Sequence, residues 1–403
     1  MGDTFTPYWG DFLVSPIPIE LSFNYCSHSC AYCFANLNRP DRRADIKATT
    51  SLLSQYQERE TFTARLMQEG YPVLVSNRVD PFAGSNYRQT LPVFDMMDAI
   101  NMPMTFQTKG GRGIDEVLEY CKPSVWYISI AVLDDKKRAE IEPGAPTIQS
   151  RLDLITKLKD KGHEVVIGVN PHVADWLPES DAEVLLQEFK DRGVWGVWCQ
   201  LLHLNHKQIK GISEKGKAAI GEKALNDCTK RVIPSDKISE LEYFRDQITG
   251  YGMEVYTVTQ GNQSYFFEPF TRLYDKLFPT MQDFINYCYE MELPDYSLIS
   301  FADFCAFMLP YLPGGLNRIG DYLKLGLKSQ VAYREACDSR FQTFESLLKI
   351  GWCEASCRFN PTHWQCFSYA QYDNQLVVDD TEGLPMIIFR RDRFEELYFD
   401  LGQ

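Results

Sequence analysis

Three cysteines stand within eight positions near the start of the chain: Cys26, Cys30 and Cys33, in the run FNYCSHSCAYCFANL. Thiolates ligate soft metals, and this set of three has no fourth cysteine beside it. An iron–sulfur cubane is held by cysteine thiolates and offers four irons. A Cys-x3-Cys-x2-Cys loop therefore wraps three of them and leaves the fourth iron open for a substrate or cofactor. Zinc is the rival, with His28 inside the loop as a fourth ligand, but common structural zinc sites use paired Cys-x2-Cys knuckles. Three unliganded buried thiols suit a polar loop with Ser27, His28 and Ser29 poorly. The spacing predicts a [4Fe–4S] cluster.

A second group lies far downstream in GWCEASCRFNPTHWQCFSY. Cys353, Cys357 and Cys366, with His363 among them, read in three ways. They form a second metal centre (an auxiliary iron–sulfur cluster or zinc), or deliver a hydrogen-donating thiol, or end a helix with buried thiols and aromatics.

These groups need elements to position them. Apolar runs over 19–25, 71–77, 103–109, 124–132, 164–173 and 194–204 read as strands. Amphipathic stretches such as SLLSQYQERETFTARLMQEG and QSRLDLITKLKDKGH separate them and read as helices. Strands apolar throughout and alternating with helices predict an α/β fold with a parallel sheet. Six such units suit a partial, open barrel, since eight close the common one. The cysteine loop then follows the first strand at its C-terminal end, where α/β enzymes place their chemistry.

Beyond about residue 235 helices dominate, with one strand candidate at MEVYTVT. This divides the chain into a core over 1–204, a basic linker or insertion over 205–235 and a mainly helical domain over 236–403. Within residues 205–231, seven basic residues face three acidic ones in a chain of formal net charge −14. That segment reads as a solvated loop or as a basic rim, together with Arg39, Arg42 and Arg43. The acidic surface as a whole repels a phosphate backbone, so nucleic-acid contact requires such a local patch. Twelve cysteines without a signal-peptide pattern point to a reducing, cytoplasmic setting, and no apolar run is long enough to span a membrane.

The loop CSHSCAYCFA, followed in order by VDPFAGSNYRQT, TFQTKG and IEPGAPTIQSRLDLI, resembles the radical S-adenosylmethionine (SAM) superfamily. Within it, the resemblance is to the branch of spore photoproduct lyase and its "DNA repair photolyase"-like relatives. It covers roughly residues 17 to 205 and implies a partial (β/α)6 radical SAM barrel. It also implies that Cys26, Cys30 and Cys33 hold the cluster and that the open iron binds SAM. Reduction, by a donor such as flavodoxin or ferredoxin, then yields a 5′-deoxyadenosyl radical that takes a hydrogen atom from substrate. Carried over by position, Phe34 lies against the adenine, Lys109 pairs with the SAM carboxylate, and Ser76 and Ser129 contact the methionine or ribose end. His172, at the end of a strand beside Asn170 and Pro171, reads as a ribose or substrate contact or as a hydrogen-bonded strand-end histidine.

The branch implies a nucleobase substrate, in nucleic acid or as a nucleotide. The cysteine that spore photoproduct lyase uses to return hydrogen has no counterpart in PVLVSNRVDPFAGS. Modification or isomerisation of a thymine-like base therefore fits better than lesion repair, with Cys199 on the sixth strand as the candidate donor if it points inward and otherwise a buried inert thiol. A peptide or amino-acid-like substrate is the alternative, and a zinc-stabilised binding module is the remote one.

Overall fold

The computed structural model describes residues 5–7, 17, 19–21, 25–37, 46–59, 62–75, 79–230, 234–256, 267–311, 344–353, 360–364 and 366–393. Its centre is an eight-stranded sheet whose strands neighbour one another in chain order. They are β1 (Phe5–Pro7), β2 (Ile19–Leu21), β3 (Val73–Val75), β4 (Met104–Thr108), β5 (Val125–Ser129), β6 (Glu164–His172), β7 (Gly196–Leu201) and β8 (Glu254–Tyr256). The first pair is antiparallel and every later pair is parallel. The seventh parallel strand, β8, comes from the strand candidate of the helical tail, so the sheet continues past the basic segment.

Both faces of the sheet are covered, which is why its strands are apolar without alternation. Val73, Val75, Phe106, Trp126, Ile128, Val165, Ile167 and Val197 share one core with helix residues such as Phe94, Ile155 and Leu186. Phe106 and Trp126 stack there with ring centroids 4.1 Å apart. Leu74, Val125 and Val166 face the other side and meet Phe270 and Tyr274, at and just past the helix Phe267–Leu273. The Tyr274 hydroxyl accepts the Val125 N–H (2.9 Å) and donates to the Met104 carbonyl (2.7 Å), tying that helix to two strands.

Two expectations change in detail. The long helical stretch before β3 is broken into Ile46–Gln55, a single turn at Tyr56–Glu58, and Phe62–Gln68. The basic segment is not a loop: it folds into the short helices His206–Gly211, Glu214–Ile220 and Glu222–Asp227, capped by Asn205 and Ser213. The tail adds a three-stranded antiparallel sheet, Phe367–Tyr369, Ile387–Phe389 and Ser297–Ile299, beside its helices. No helix among the described residues is long and apolar enough to cross a membrane.

Candidate functional site

Because β2 to β7 run parallel, their C-terminal ends share one edge, and the loops after β2, β3, β4 and β5 meet there. The cysteine loop is clamped from two sides. From the loop after β3, Ser85 and Ser27 exchange backbone-to-hydroxyl hydrogen bonds (3.0 and 3.1 Å), and Asn86 donates to the Tyr25 carbonyl (2.7 Å). From the loop before the helix Ile148–Asp160, the Gly144 N–H donates to the His28 carbonyl (2.9 Å), and the Ala31 N–H donates to the Ile141 carbonyl (2.8 Å). Gly144 sits so close that a Cβ there would lie 2.1 Å from the Ser27 carbonyl oxygen. That position admits no larger residue without moving the loop.

His28 is the pin of this clamp. Its Nδ1 donates to the Gly144 carbonyl (3.0 Å) and its Nε2 to Asp80 Oδ2 (3.1 Å). Two donating ring nitrogens mean an imidazolium. Burial would lower its pKa, but the Asp80 carboxylate outweighs that and raises it. Asp80 is buried too and accepts from Thr108 Oγ1 (2.9 Å), the Lys109 N–H (2.6 Å) and the Phe82 N–H (2.9 Å). Burial alone would raise its pKa, yet His28 and these donors hold it below the ordinary carboxylate value. With both nitrogens engaged, His28 is turned away from ligation, which removes the fourth ligand of the zinc alternative.

A second buried network lies beside the thiols. Lys109, just past β4, places its ammonium 2.9 Å from Glu142 Oε1, 2.6 Å from Ser129 Oγ and 3.1 Å from the Tyr32 hydroxyl. Glu142 also binds Arg151 (2.5 Å) and the Tyr32 hydroxyl. Arg151 in turn donates to the Ser129 carbonyl (2.9 Å). Burial would raise the Glu142 pKa, but Arg151 and Lys109 hold it well below the usual range.

Lys109 and Glu142 both bear on the ionisation of Cys30, and so do Cys26 and Cys33, so the loop thiols lie within electrostatic reach of one another and of this network. Burial, then Asp80, pushes the Cys26 thiol up to about 12. Burial likewise raises Cys30, against the pull of Lys109. Such thiols ionise when a metal takes the proton's place. Among the described residues no three or more His, Cys, Asp or Glu side chains stand in metal-holding geometry, so ligation requires the loop thiols to turn toward one another. The donor chemistry fits a thiolate-held cluster: three cysteines on a clamped loop, the one nearby histidine withdrawn, and a cationic side chain adjacent.

Of the other expected site residues, Phe34 stands largely exposed at the start of the helix Phe34–Leu37, and Ser129 joins Lys109. Ser76, Cys357, Arg39, Arg42 and Arg43 lie outside the described residues. Cys199 is not brought to the site. It is fully buried and shares the helix-covered core with Val197, its thiol pushed up to about 12 by burial. Cys366 is fully buried in the tail's core beside Phe367, and Cys353 is partly buried against that core. Asn360 there donates to the Gly351 and Trp352 carbonyls (2.7 and 2.9 Å), closing a helix end. A second metal centre gains no support from this arrangement. Asp80 and Glu142 were not singled out in the sequence, although both sit inside the stretches that carry the resemblance.

No protein-family model matches the chain. Curated sequences similar to it include an uncharacterised protein of Mycobacterium tuberculosis, 29% identical over 197 residues, covering 44% of this chain and 56% of that one. Another is an uncharacterised protein of Acidianus two-tailed virus, 28% identical over 143 residues, covering 34% and 47%. The chain thus spans about half the length of the curated relatives it matches. Similar solved structures include a spore photoproduct lyase variant with dinucleoside spore photoproduct (TM-score 0.44, 16% identity, 62% of this chain and 78% of that one). Streptococcus suis SuiB bound to S-adenosylmethionine is another (TM-score 0.40, 16% identity, 62% and 50%). A third is a radical SAM methyltransferase from Sphaerobacter thermophilus (TM-score 0.38, 13% identity, 59% and 65%). All three are radical SAM enzymes. At these scores the likeness to radical SAM enzymes is one of outline, and the chain's own residues carry the chemical reading.

Proposed function

We propose that this chain is a radical SAM enzyme acting on a nucleobase, with Cys26, Cys30 and Cys33 holding a [4Fe–4S] cluster. The observation that carries the reading is convergence. Residues from four separate stretches that resemble the superfamily, around Cys30, Asp80, Lys109 and Glu142, meet in two linked buried networks at one edge of the sheet. With SAM bound, the cluster that Cys26, Cys30 and Cys33 would hold would supply hydrogen-abstracting radical chemistry to the substrate.

The chain's own groups do the positioning. The His28–Asp80 pair fixes the loop that carries the thiols. Lys109, Ser129 and Tyr32 form a polar wall beside Cys30 suited to the methionine end of SAM. The Lys109 ammonium has three donors and three partners, so pairing with the SAM carboxylate means exchanging one of them. Phe34, exposed next to Cys33, is free to lie against the adenine. We assign the substrate to a thymine-like base, modified or isomerised, on the resemblance of the cysteine loop and the three stretches after it. The reducing partner is a small electron carrier such as flavodoxin or ferredoxin.

The test uses anaerobically reconstituted protein, dithionite and SAM. It should release 5′-deoxyadenosine, and Cys30→Ala protein should release none. With an oligonucleotide deuterated at its thymine methyl groups, deuterium should appear in the 5′-deoxyadenosine. Cleavage of SAM without deuterium transfer from thymidine, as free nucleotide or in a strand, would overturn the substrate assignment and keep the enzyme class.

A further inference from the structure

On β4 to β7 the side chains alternate between two environments. Phe106, Trp126, Ile128, Val165, Ile167 and Val197 lie in the helix-covered core. The opposite face changes character along its length. At the strand starts it is closed, with Thr105, Val125 and Val166 buried beside Phe270 and Tyr274. Further along, Gln107, Tyr127, Asn170 and Trp198 are each only partly buried, although all four lie on strands with neighbours on both sides. The cover from Phe270 and Tyr274 therefore ends part-way, and a hollow opens beyond it. Lys109 and Ser129, two positions after Gln107 and Tyr127, continue the same face and bond each other at its upper end (2.6 Å).

The hollow has an aromatic floor. A Cβ at Gly168 would lie 1.8 Å from the Tyr127 hydroxyl oxygen, so the Tyr127 ring reaches across β6 where only glycine leaves room for it. Its hydroxyl is hydrogen-bonded to the Asn170 side chain. Trp198 pairs in register with Gly168 from β7, which brings a second ring to that face. His172, past the irregularity at the end of β6, stacks on Phe244 of the helix Ser235–Gly250 (ring centroids 4.5 Å apart). Gln107 pairs in register with Tyr127 from β4. Its side-chain amide makes no hydrogen bond among the described residues. By contrast, Thr105 before it donates to the Val125 carbonyl (2.8 Å), and Lys109 after it has three partners.

Two rings, one free amide and no charge at Gln107, Tyr127, Asn170 and Trp198 suit a flat, uncharged heterocycle with a donor and an acceptor side by side. A thymine-like base carries that pair as its N3–H and O4, and extracted bases are read at this edge between aromatic side chains. We propose that Gln107 is the residue that reads the base. Its amide oxygen accepts N3–H and its amide nitrogen donates to O4, over the floor of Tyr127 and Trp198. The inference rests on the nucleobase reading above and adds the group that selects the base. The ring then lies next to Lys109 and Ser129, the wall assigned to the methionine end of SAM.

Calorimetric titration of anaerobically reconstituted protein with SAM and no reductant tests it. The ligands are thymidylyl-thymidine and the same dinucleotide methylated at N3 of both bases, which removes the donor. Native protein should bind the first at least about tenfold tighter, the scale of one bidentate base contact. In Gln107→Met protein the two affinities should agree within about twofold, a ratio that a merely structural role would leave unchanged. Should that variant melt early, Gln107→Ala, which only widens an open hollow, gives the same decision. Equal binding of the two ligands by native protein, or a ratio kept in the variant, overturns the assignment of Gln107. Deuterium transfer from thymine methyl groups that persists beside such a result strikes Gln107 and leaves the nucleobase reading standing. Absence of that transfer strikes the reading and this inference together.

Discussion

Glu142 is fully buried and bridges two cations, Lys109 and Arg151, while also accepting from Tyr32. Burying ions costs more than an isolated pair returns, so such a network persists where its geometry positions something. Glu142→Gln keeps the shape and leaves two buried cations without their counter-charge. It should destabilise the fold by about 3–5 kcal/mol, read from urea unfolding, the scale for breaking a buried pair. A loss near zero would mean that the network is solvated in solution. The importance of Glu142 and Asp80 was not legible in the sequence. Their partners lie 33 residues away (Lys109 to Glu142) and 52 residues away (His28 to Asp80), and no local periodicity reports pairing at that range. Cys199 shows the converse. Its type allowed a donor or a buried inert thiol, and the strand's alternation, with Val197 and Cys199 in the helix-covered core, decides for the buried thiol.

At the scale of elements, the six strands over residues 19–204 were legible because buried parallel strands read as apolar runs, and each lies inside the expected range. The seventh escaped assignment to the sheet because Glu254–Tyr256 follows a helix-rich stretch, apart from the regular strand–helix alternation of the first six. Loops carry the site, and two predictions belong to them. Gly144→Ala drives a Cβ into the Ser27 carbonyl and should displace the cysteine loop, so that reconstituted protein retains less than about half the native iron. Full iron retention would show the loop to be held otherwise. The starts of β5 and β6 are joined by His163, whose Nδ1 accepts the Ser124 N–H (3.1 Å). Burial and then the Lys161 cation lower its pKa to about 4 from 6.5. A folded-state pKa below the unfolded one means that stability is full above about pH 6.5 and falls as pH drops toward 4. His163→Gln should flatten that part of the stability–pH curve, measured by thermal melts across the range.

For the whole molecule, seven parallel strands with all their C-terminal ends on one edge bring four distant stretches to a single place, and the cysteine loop lies at their meeting point. The tail contributes an aromatic cluster, built around Phe284, Phe304, Trp352 and Phe367 and continuous with the core that covers the sheet, in which Cys366 is one more buried side chain. The account therefore requires one cluster per chain, held at the loop. The most direct measurement is iron and sulfide per chain in anaerobically reconstituted protein, with electron paramagnetic resonance before and after adding SAM. Native and Cys26→Ala/Cys30→Ala/Cys33→Ala proteins are compared. About four irons in the native protein, a signal that shifts with SAM, and none in the triple variant are the predicted result. Iron that survives in the triple variant would place a cluster elsewhere in the chain, and a native protein that takes up no iron would contradict the account.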